Sequence, residues 1–510
     1  MGHSDGQTFD NENNKDNVSS ALLNIEKAEP QKLPYPKRVF LIIGNEFCER
    51  FNFNGFRAIL AFYLRFKLGF TENDATVLFH AFVMLVYFTS IFGAVISDVW
   101  LGKFKTILYF SILYVIGSTI VALGAIPAIS ISPKIALYIG LTSITIGSGG
   151  IKACVAPFGG DQFELPEQSA QMVRYFSMFF FAFHAGSFIS TSITPMLRAD
   201  IHCFGENDCY SLAFGVPALL MITSIVLVII GKSSYTYVQT SSENMLLKML
   251  ECIWNAIITK RLNGKTKPRK NLLDYSIEKY GAQLVVDTRI MLKILVLYLP
   301  LPIFWALIFQ TGSRWTFQAN KMNGDLGFYT LKPDQMQMIE SIFTLTFIPL
   351  CEFVIYPLFS KIGIRRPLQK MKIGGILAGI AFLLSAYVQY RIESMPLNSV
   401  NMLWQIPQYV FLSLSDTMTG VTGPAFSYEQ APESMKSVVL SIWCLEVALG
   451  NTILIFIAGM EFFESRVYEL FFFSGLMFCS MFVFAIFAYN YEKFKRSIDS
   501  EKNKMVAVST

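Results

Sequence analysis

Apolar runs of about 20 residues or more, set between polar connections, recur about twelve times in this chain, near 39–64, 75–97, 106–128, 136–157, 173–196, 211–231, 287–310, 336–359, 373–390, 401–424, 437–460 and 467–490. A helix needs roughly 20 residues to cross a hydrocarbon core about 30 Å thick. Inside that core, backbone N–H and C=O groups have no partners but one another, so a spanning segment must be a helix or part of a closed barrel. Runs of this length predict an all-α membrane protein. The composition agrees: 53% of the 510 residues are hydrophobic, only 15% are charged, and 47 are Phe, which excludes an ordinary water-soluble enzyme.

The basic residues orient the helices. Lys103 and Lys105 after the second run, Lys361, Arg365, Arg366, Lys370 and Lys372 after the eighth, and Lys493, Lys495 and Arg496 at the end all fall on one side. Positive charge accumulates on the cytoplasmic side of a membrane, so both termini are expected there. The longest connection, 232–286, carries Lys260, Arg261, Lys265, Lys267, Arg269 and Lys270, and within it 245–258 reads as an amphipathic helix on the membrane surface. The expected organisation is a disordered polar tail over 1–36, a six-helix bundle over 37–231, a cytoplasmic linker over 232–286, a second six-helix bundle over 287–491 and a tail over 492–510. Six spans, a basic linker and six more spans is the layout of the major facilitator architecture, whose two bundles rock about a site near the midplane. The eight Cys show no spacing suited to a metal, and neither metal nor cofactor is expected. Cys203 and Cys209 share a short polar loop on the outer side, where a disulfide and two free thiols are both open readings.

The first run carries Glu46, Glu49, Arg50 and Arg57 among apolar residues. At roughly 2.5 to 3.5 kcal/mol each, four charges near mid-membrane oppose insertion by on the order of 10 kcal/mol unless they face one another or water. At about 100° per residue they share one face about 100° wide together with Phe53, so they form a single polar stripe. Arg50 reaches Glu46 at i+4, and Glu49 is in position to exchange between Arg50 and Lys152, a lone base in a Gly-rich run. A carboxylate that changes partner with conformation is what proton coupling requires. The alternative is a permanently closed ion cluster that pins helices together. Arg57 offers a fork for a terminal carboxylate.

That stretch, with Gly147-Ser148-Gly149-Gly150-Ile151-Lys152, Phe158-Gly159-Gly160-Asp161-Gln162-Phe163, Pro300-Leu301-Pro302-Ile303-Phe304-Trp305 and Phe426-Ser427-Tyr428, resembles the proton-coupled oligopeptide transporter family, its animal members above all. The resemblance runs from about Pro36 to Tyr491, without the large extracellular domain that animal members carry between the ninth and tenth spans. It implies that His80 assists Glu46, Glu49, Arg50 and Lys152 in proton coupling, and that Tyr63, Tyr87 and Trp305 line the substrate pocket with Arg57. It also implies a gating charge pair between Lys293 and Glu352. Departures retune the pocket: Phe53 and Phe180 stand where tyrosines are usual, and His184 stands for asparagine. Ala425 replaces the glutamate that anchors the peptide amine. Asp416, Glu429 and Glu446 are the acids able to substitute, with Glu446 preferred because it follows Trp443 by about one turn.

The expected function is a plasma-membrane symporter that moves protons with di- and tripeptides or peptide-like solutes by alternating access, its partners being protons, the small peptide and the lipid bilayer. No nucleic acid partner and no enzymatic chemistry are expected. A proton-coupled transporter of another small solute and a non-transporting sensor of the same fold are the other readings.

Overall fold

The computed structural model describes residues 33–129, 131–164, 167–238, 245–263, 269, 271–432 and 435–509. The expected tail over 1–36 therefore falls outside the described residues as far as residue 32, as do Lys265, Lys267 and Lys270 of the linker. The described chain is helical, with only isolated bridges in its loops.

The principal helices are α1 (Val39–Phe62), α2 (Glu72–Ile96), α3 (Lys103–Gly124), α4 (Pro133–Lys152), α5 (Ser169–Ala199), α6 (Tyr210–Ile230), α7 (Met245–Asn263), α8 (Ala282–Tyr298), α9 (Leu301–Ile308), α10 (Arg314–Ala319), α11 (Gln337–Leu350), α12 (Pro367–Ser394), α13 (Ile406–Asp416), α14 (Thr422–Gln430), α15 (Lys436–Gly459) and α16 (Arg466–Ser509). Nine helices among the described residues are long and apolar enough to span a membrane, and Ala282–Tyr298 with Leu301–Ala319 makes a tenth span bent by 52°. The bend falls at Leu299-Pro300. Proline withholds a backbone donor and disfavours helix in the residue before it. Two further stretches of spanning length complete the expected twelve: α1, which is too charged to qualify on apolarity, and 406–430, which is too polar.

Helices α1 to α6 pack on one another, as do α8 to α16, and two main seams join the groups: α2 lies along α15, and α5 along α11. One end of the assembly bears the loop in which Cys203 and Cys209 form a disulfide, with Cα atoms 5.3 Å apart. The opposite end carries Lys103, Lys105, Arg365 and Arg366. These are called the disulfide face and the basic face below.

Polar side chains hold α1 at the centre of its group. Asn45 donates to Ser224 on α6 (2.5 Å), Asn52 to Ser118 on α3 (3.2 Å) and Asn54 to Ser187 on α5 (2.7 Å). Such side-chain bonds tie helices together where the hydrophobic effect cannot. Helix α2 touches α4 backbone to backbone: a Cβ added at Gly93 would stand 2.5 Å from the Gly150 carbonyl oxygen. Glycine at that contact is a packing requirement, and it brings Lys152 at the end of α4 close to α2.

Two expectations change. The surface helix α7 extends to Asn263, beyond the expected 245–258, and packs its Cys252 and Ala256 on Leu273 and Val285. Helix α16 continues through most of 492–510, where a tail was expected.

Candidate functional site

The polar stripe of α1 points into its own helix group. Glu46, Glu49 and Arg50 are all at least nine-tenths buried. Arg50 Nε stands 2.9 Å from Glu46 Oε1 and 2.5 Å from Glu49 Oε2. These are close ion pairs without aligned hydrogen bonds, since neither Arg50 Nε nor Glu49 Oε2 has a hydrogen-bond partner. Ser148 on α4 donates to the other Glu49 oxygen at 3.3 Å. The Arg50 guanidinium rests 4.8 Å from the centre of the Phe183 ring. With Glu49 on Arg50, Lys152 Nζ has no hydrogen-bond partner among the described residues and sits 4.0 Å above the Phe53 ring and 5.0 Å from that of Tyr87. Two acids and two bases sum to zero charge, but the second base is held by aromatic faces. Phenylalanine at 53 supplies a ring without a hydroxyl that could accept a bond from Lys152.

His80 is fully buried and joins the two helix groups. Its Nδ1 lies 2.8 Å from Asn451 Oδ1 on α15, and its Nε2 lies 2.8 Å from Ser313 Oγ just before α10. Asn451 Nδ2 donates to the Val447 carbonyl, which fixes Oδ1 as the atom facing the ring. An amide oxygen only accepts, so Nδ1 carries the proton, and neutral His80 accepts from Ser313 through Nε2. A proton added at Nε2 would reverse that bond, with the Ser313 hydroxyl turning to accept.

A line of rings in the second group meets the first group at Tyr87. The Arg57 guanidinium lies 5.5 Å from the Phe309 ring and its Nε has no hydrogen-bond partner. Phe309 meets Tyr87 at 5.7 Å and Trp305 at 6.3 Å, Trp305 meets Trp443 at 5.9 Å, and Trp443 meets Tyr298 at 5.4 Å. Glu446, one turn beyond Trp443, is 5% exposed, and its Oε2 is unpartnered, as is Trp305 Nε1. Buried polar atoms are almost always bonded, so two unpartnered ones on this line of rings are unusual. Asp416 also reaches this region: a Cβ at Gly420 would lie 2.4 Å from Asp416 Oδ1 and 3.7 Å from the Trp305 ring.

Five expected positions lie elsewhere or differ. Tyr63 opens the π turn Tyr63–Lys67 and is buried against Tyr210 and Phe214 of α6, inside its own helix group. Phe180 is half exposed on α5 with its ring against Phe179, and His184 stands beside Phe183, nearer the Arg50 cluster. Lys293 and Glu352 are not paired among the described residues. Lys293 on α8 lies over the Phe494 ring of α16, because α8 packs against α16 and not along α11. Glu352 sits in the π turn Cys351–Ile355, where an extra residue per turn re-phases the helix, and it is exposed.

The charge pairs that do join the groups were missed by sequence reasoning. Arg198 at the end of α5 makes two bonds to the fully buried Asp334, at 2.8 and 3.0 Å, and Lys332 pairs with Asp200 at 2.6 Å. Nearby, Arg314 holds Glu469 at 3.0 Å and donates to Asn73 at 3.1 Å, while Asn73 donates to Glu461 at 2.5 Å. Glu340 on α11, also missed, lies close enough to Arg57 for their charges to interact. The hydrogen bonds and ion pairs between groups cluster in the half toward the disulfide face. Their only sequence signal was charge at the ends of apolar runs, which solvated loops share.

The sequence model of the POT family, PTR2, matches residues 104–463. The peptide transporter family 1 protein of Drosophila melanogaster is 50% identical over 361 residues, covering 71% of this chain and 48% of that protein. Human solute carrier family 15 member 2 is 47% identical over 396 residues, covering 76% of this chain and 53% of its own. The chain thus spans about half the length of the curated relatives it matches. Among solved structures, the in meso crystal structure of the POT family transporter PepTSo superposes with a TM-score of 0.78 at 28% identity, over 90% of this chain and 99% of that one. That likeness covers nearly the whole chain, and with two packed helix groups the architecture is of the major facilitator type. A family match across more than two thirds of the chain, together with that fold, shows that this protein belongs to the POT family.

Proposed function

We propose that the chain is a proton-coupled symporter of small peptides or peptide-like solutes, working by alternating access in the plasma membrane with both termini in the cytoplasm. The observation that carries this reading is the buried, neutral quartet of Glu46, Glu49, Arg50 and Lys152, with one base unbonded, beside a cation and an aromatic line between two helix groups. Neutralising Glu49 would release Arg50 from one of its two partners and leave the cluster with net positive charge. Each pKa unit by which that step differs between conformations is about 1.4 kcal/mol of coupling. About 100 mV of membrane potential adds roughly 2.3 kcal/mol per charge moved. The basic face is cytoplasmic by its lysines and arginines, so the ion pairs near the disulfide close the outer side. The names of the relatives, peptide transporters among them, support the substrate class.

Uptake of a labelled dipeptide by cells expressing the chain tests this. Uptake is expected to rise as external pH falls, and Glu49→Gln to abolish that rise while exchange of labelled for unlabelled peptide continues. Uptake indifferent to pH, or unchanged in Glu49→Gln, would overturn the proposal. A second reading, transport of a different small solute, is favoured by Ala425, which presents only a methyl group on an exposed position of α14. Competition among peptides, amino acids and nitrate separates the two.

A further inference from the structure

A cavity of about 970 Å³ opens at the basic face, away from the space between the helix groups, where the start of α3, the end of α6 and the segment after it converge. Its polar end carries Lys103, Lys105 and Lys232. Lys103 is matched by Asp161 at 2.5 Å, whereas Lys105 and Lys232 are exposed and have no carboxylate partner among the described residues. Asp161 is the one acid in the lining among the described residues, which leaves an excess of positive charge there.

The floor is built rather than incidental. Phe104 lies edge-on to Tyr237 at 5.5 Å, the Tyr237 hydroxyl donates to the Lys232 carbonyl at 2.6 Å, and Arg38 donates to Ser234 O at 2.7 Å. These contacts hold the segment after α6 against the start of α3.

The other end is apolar and leads onto the membrane-facing surface. Tyr109, Ile112 and Ile116 continue along α3 at helical spacing and remain 42–53% exposed. Ile222, Val226 and Ile229 form a matching stripe on α6, 43–50% exposed, and the two helices pack side by side. A headgroup-level pair of unmatched lysines above a two-walled apolar groove has the polarity of a phospholipid with an anionic head. A soluble phosphate would gain nothing from the groove, and a zwitterionic lipid, whose head carries a cation against its phosphate, would leave the excess positive charge unmatched.

We propose that this cavity binds one anionic phospholipid of the cytoplasmic leaflet, its phosphate between Lys105 and Lys232 and an acyl chain between α3 and α6. Native mass spectrometry of the detergent-solubilised full chain, titrated with phosphatidylserine and separately with phosphatidylcholine, tests it. The parent is expected to retain phosphatidylserine in preference to phosphatidylcholine. The double variant Lys105→Gln/Lys232→Gln is expected to bind phosphatidylserine roughly 10- to 30-fold more weakly, the loss of about two lysine contacts. Lys105→Arg/Lys232→Arg is expected to keep the binding, which separates charge from folding because both positions are exposed. Equal binding of the two lipids by the parent, unchanged phosphatidylserine binding in the Gln variant, or displacement of the lipid by soluble glycerophosphoserine would each overturn the proposal. Transport is not the readout, so the outcome is independent of the substrate.

Discussion

At the scale of residues, His80 and Ala425 carry different kinds of information. His80 is bonded at both ring nitrogens to the opposite helix group, so truncating it leaves Asn451 Oδ1 and the Ser313 hydroxyl buried without that partner. A stranded buried polar group costs about 1–3 kcal/mol. We expect His80→Ala to lower the thermal midpoint and blunt proton-driven uptake, and His80→Gln to restore much of the midpoint but not the coupling; thermal unfolding and pH-dependent uptake distinguish the two. Ala425→Glu is expected to raise the affinity for dipeptides with a free amine and leave N-acetylated ones unaffected, measured as competition against a labelled peptide. The resemblance supplied His80, but not its two partners. Asn451 and Ser313 are ordinary polar residues in sequence, and only helix crossing brings them to the ring. Lys152 illustrates the converse: its place near the acids was legible, whereas its seat on the Phe53 and Tyr87 faces depends on how closely α2 and α4 approach.

At the scale of elements, α1 shows how a poor membrane segment is held within its group. Three of its four charges, Glu46, Glu49 and Arg50, pair within the helix, and Asn45, Asn52 and Asn54 reach three different neighbours. Interhelical side-chain bonds in membranes average about 0.6 kcal/mol and reach about 1.7. Asn52→Ala is therefore expected to destabilise the protein by about 1 kcal/mol, read as a lowered midpoint in a detergent unfolding assay, without altering the pH dependence of uptake. The sequence revealed that α1 needed compensation for its charges, but not that asparagines would provide its lateral contacts. The bend between α8 and α9 was written in Pro300 and Pro302, which stand inside the expected span over 287–310. The π turn Cys351–Ile355, on which Glu352 stands, carries no comparable signal.

At the scale of the whole molecule, the two helix groups meet most firmly toward the disulfide face. Arg198 and Asp334 are the most enclosed ion pair of that contact. Removing one member of a buried pair strands the other charge, at a cost of about 3–5 kcal/mol. Arg198→Ala is expected to loosen this closure, seen as faster hydrogen exchange over 192–200 and 332–338, and Arg198→Ala/Asp334→Ala to recover part of the protection because no lone charge remains. Equal exchange in parent and single variant would show that the pair does not hold the face shut. The sequence by itself determined that the chain is a bundle of about twelve membrane helices, which end carries the basic charge, and that the first helix must compensate for its charges, since each of these follows from the length and polarity of contiguous segments facing lipid. Tertiary structure alone decided which charges meet across the helix groups, that Lys152 rests on rings and Lys293 on Phe494, and where a lysine-lined cavity opens, because these depend on helix rotation and crossing, which hydrophobic patterning does not specify.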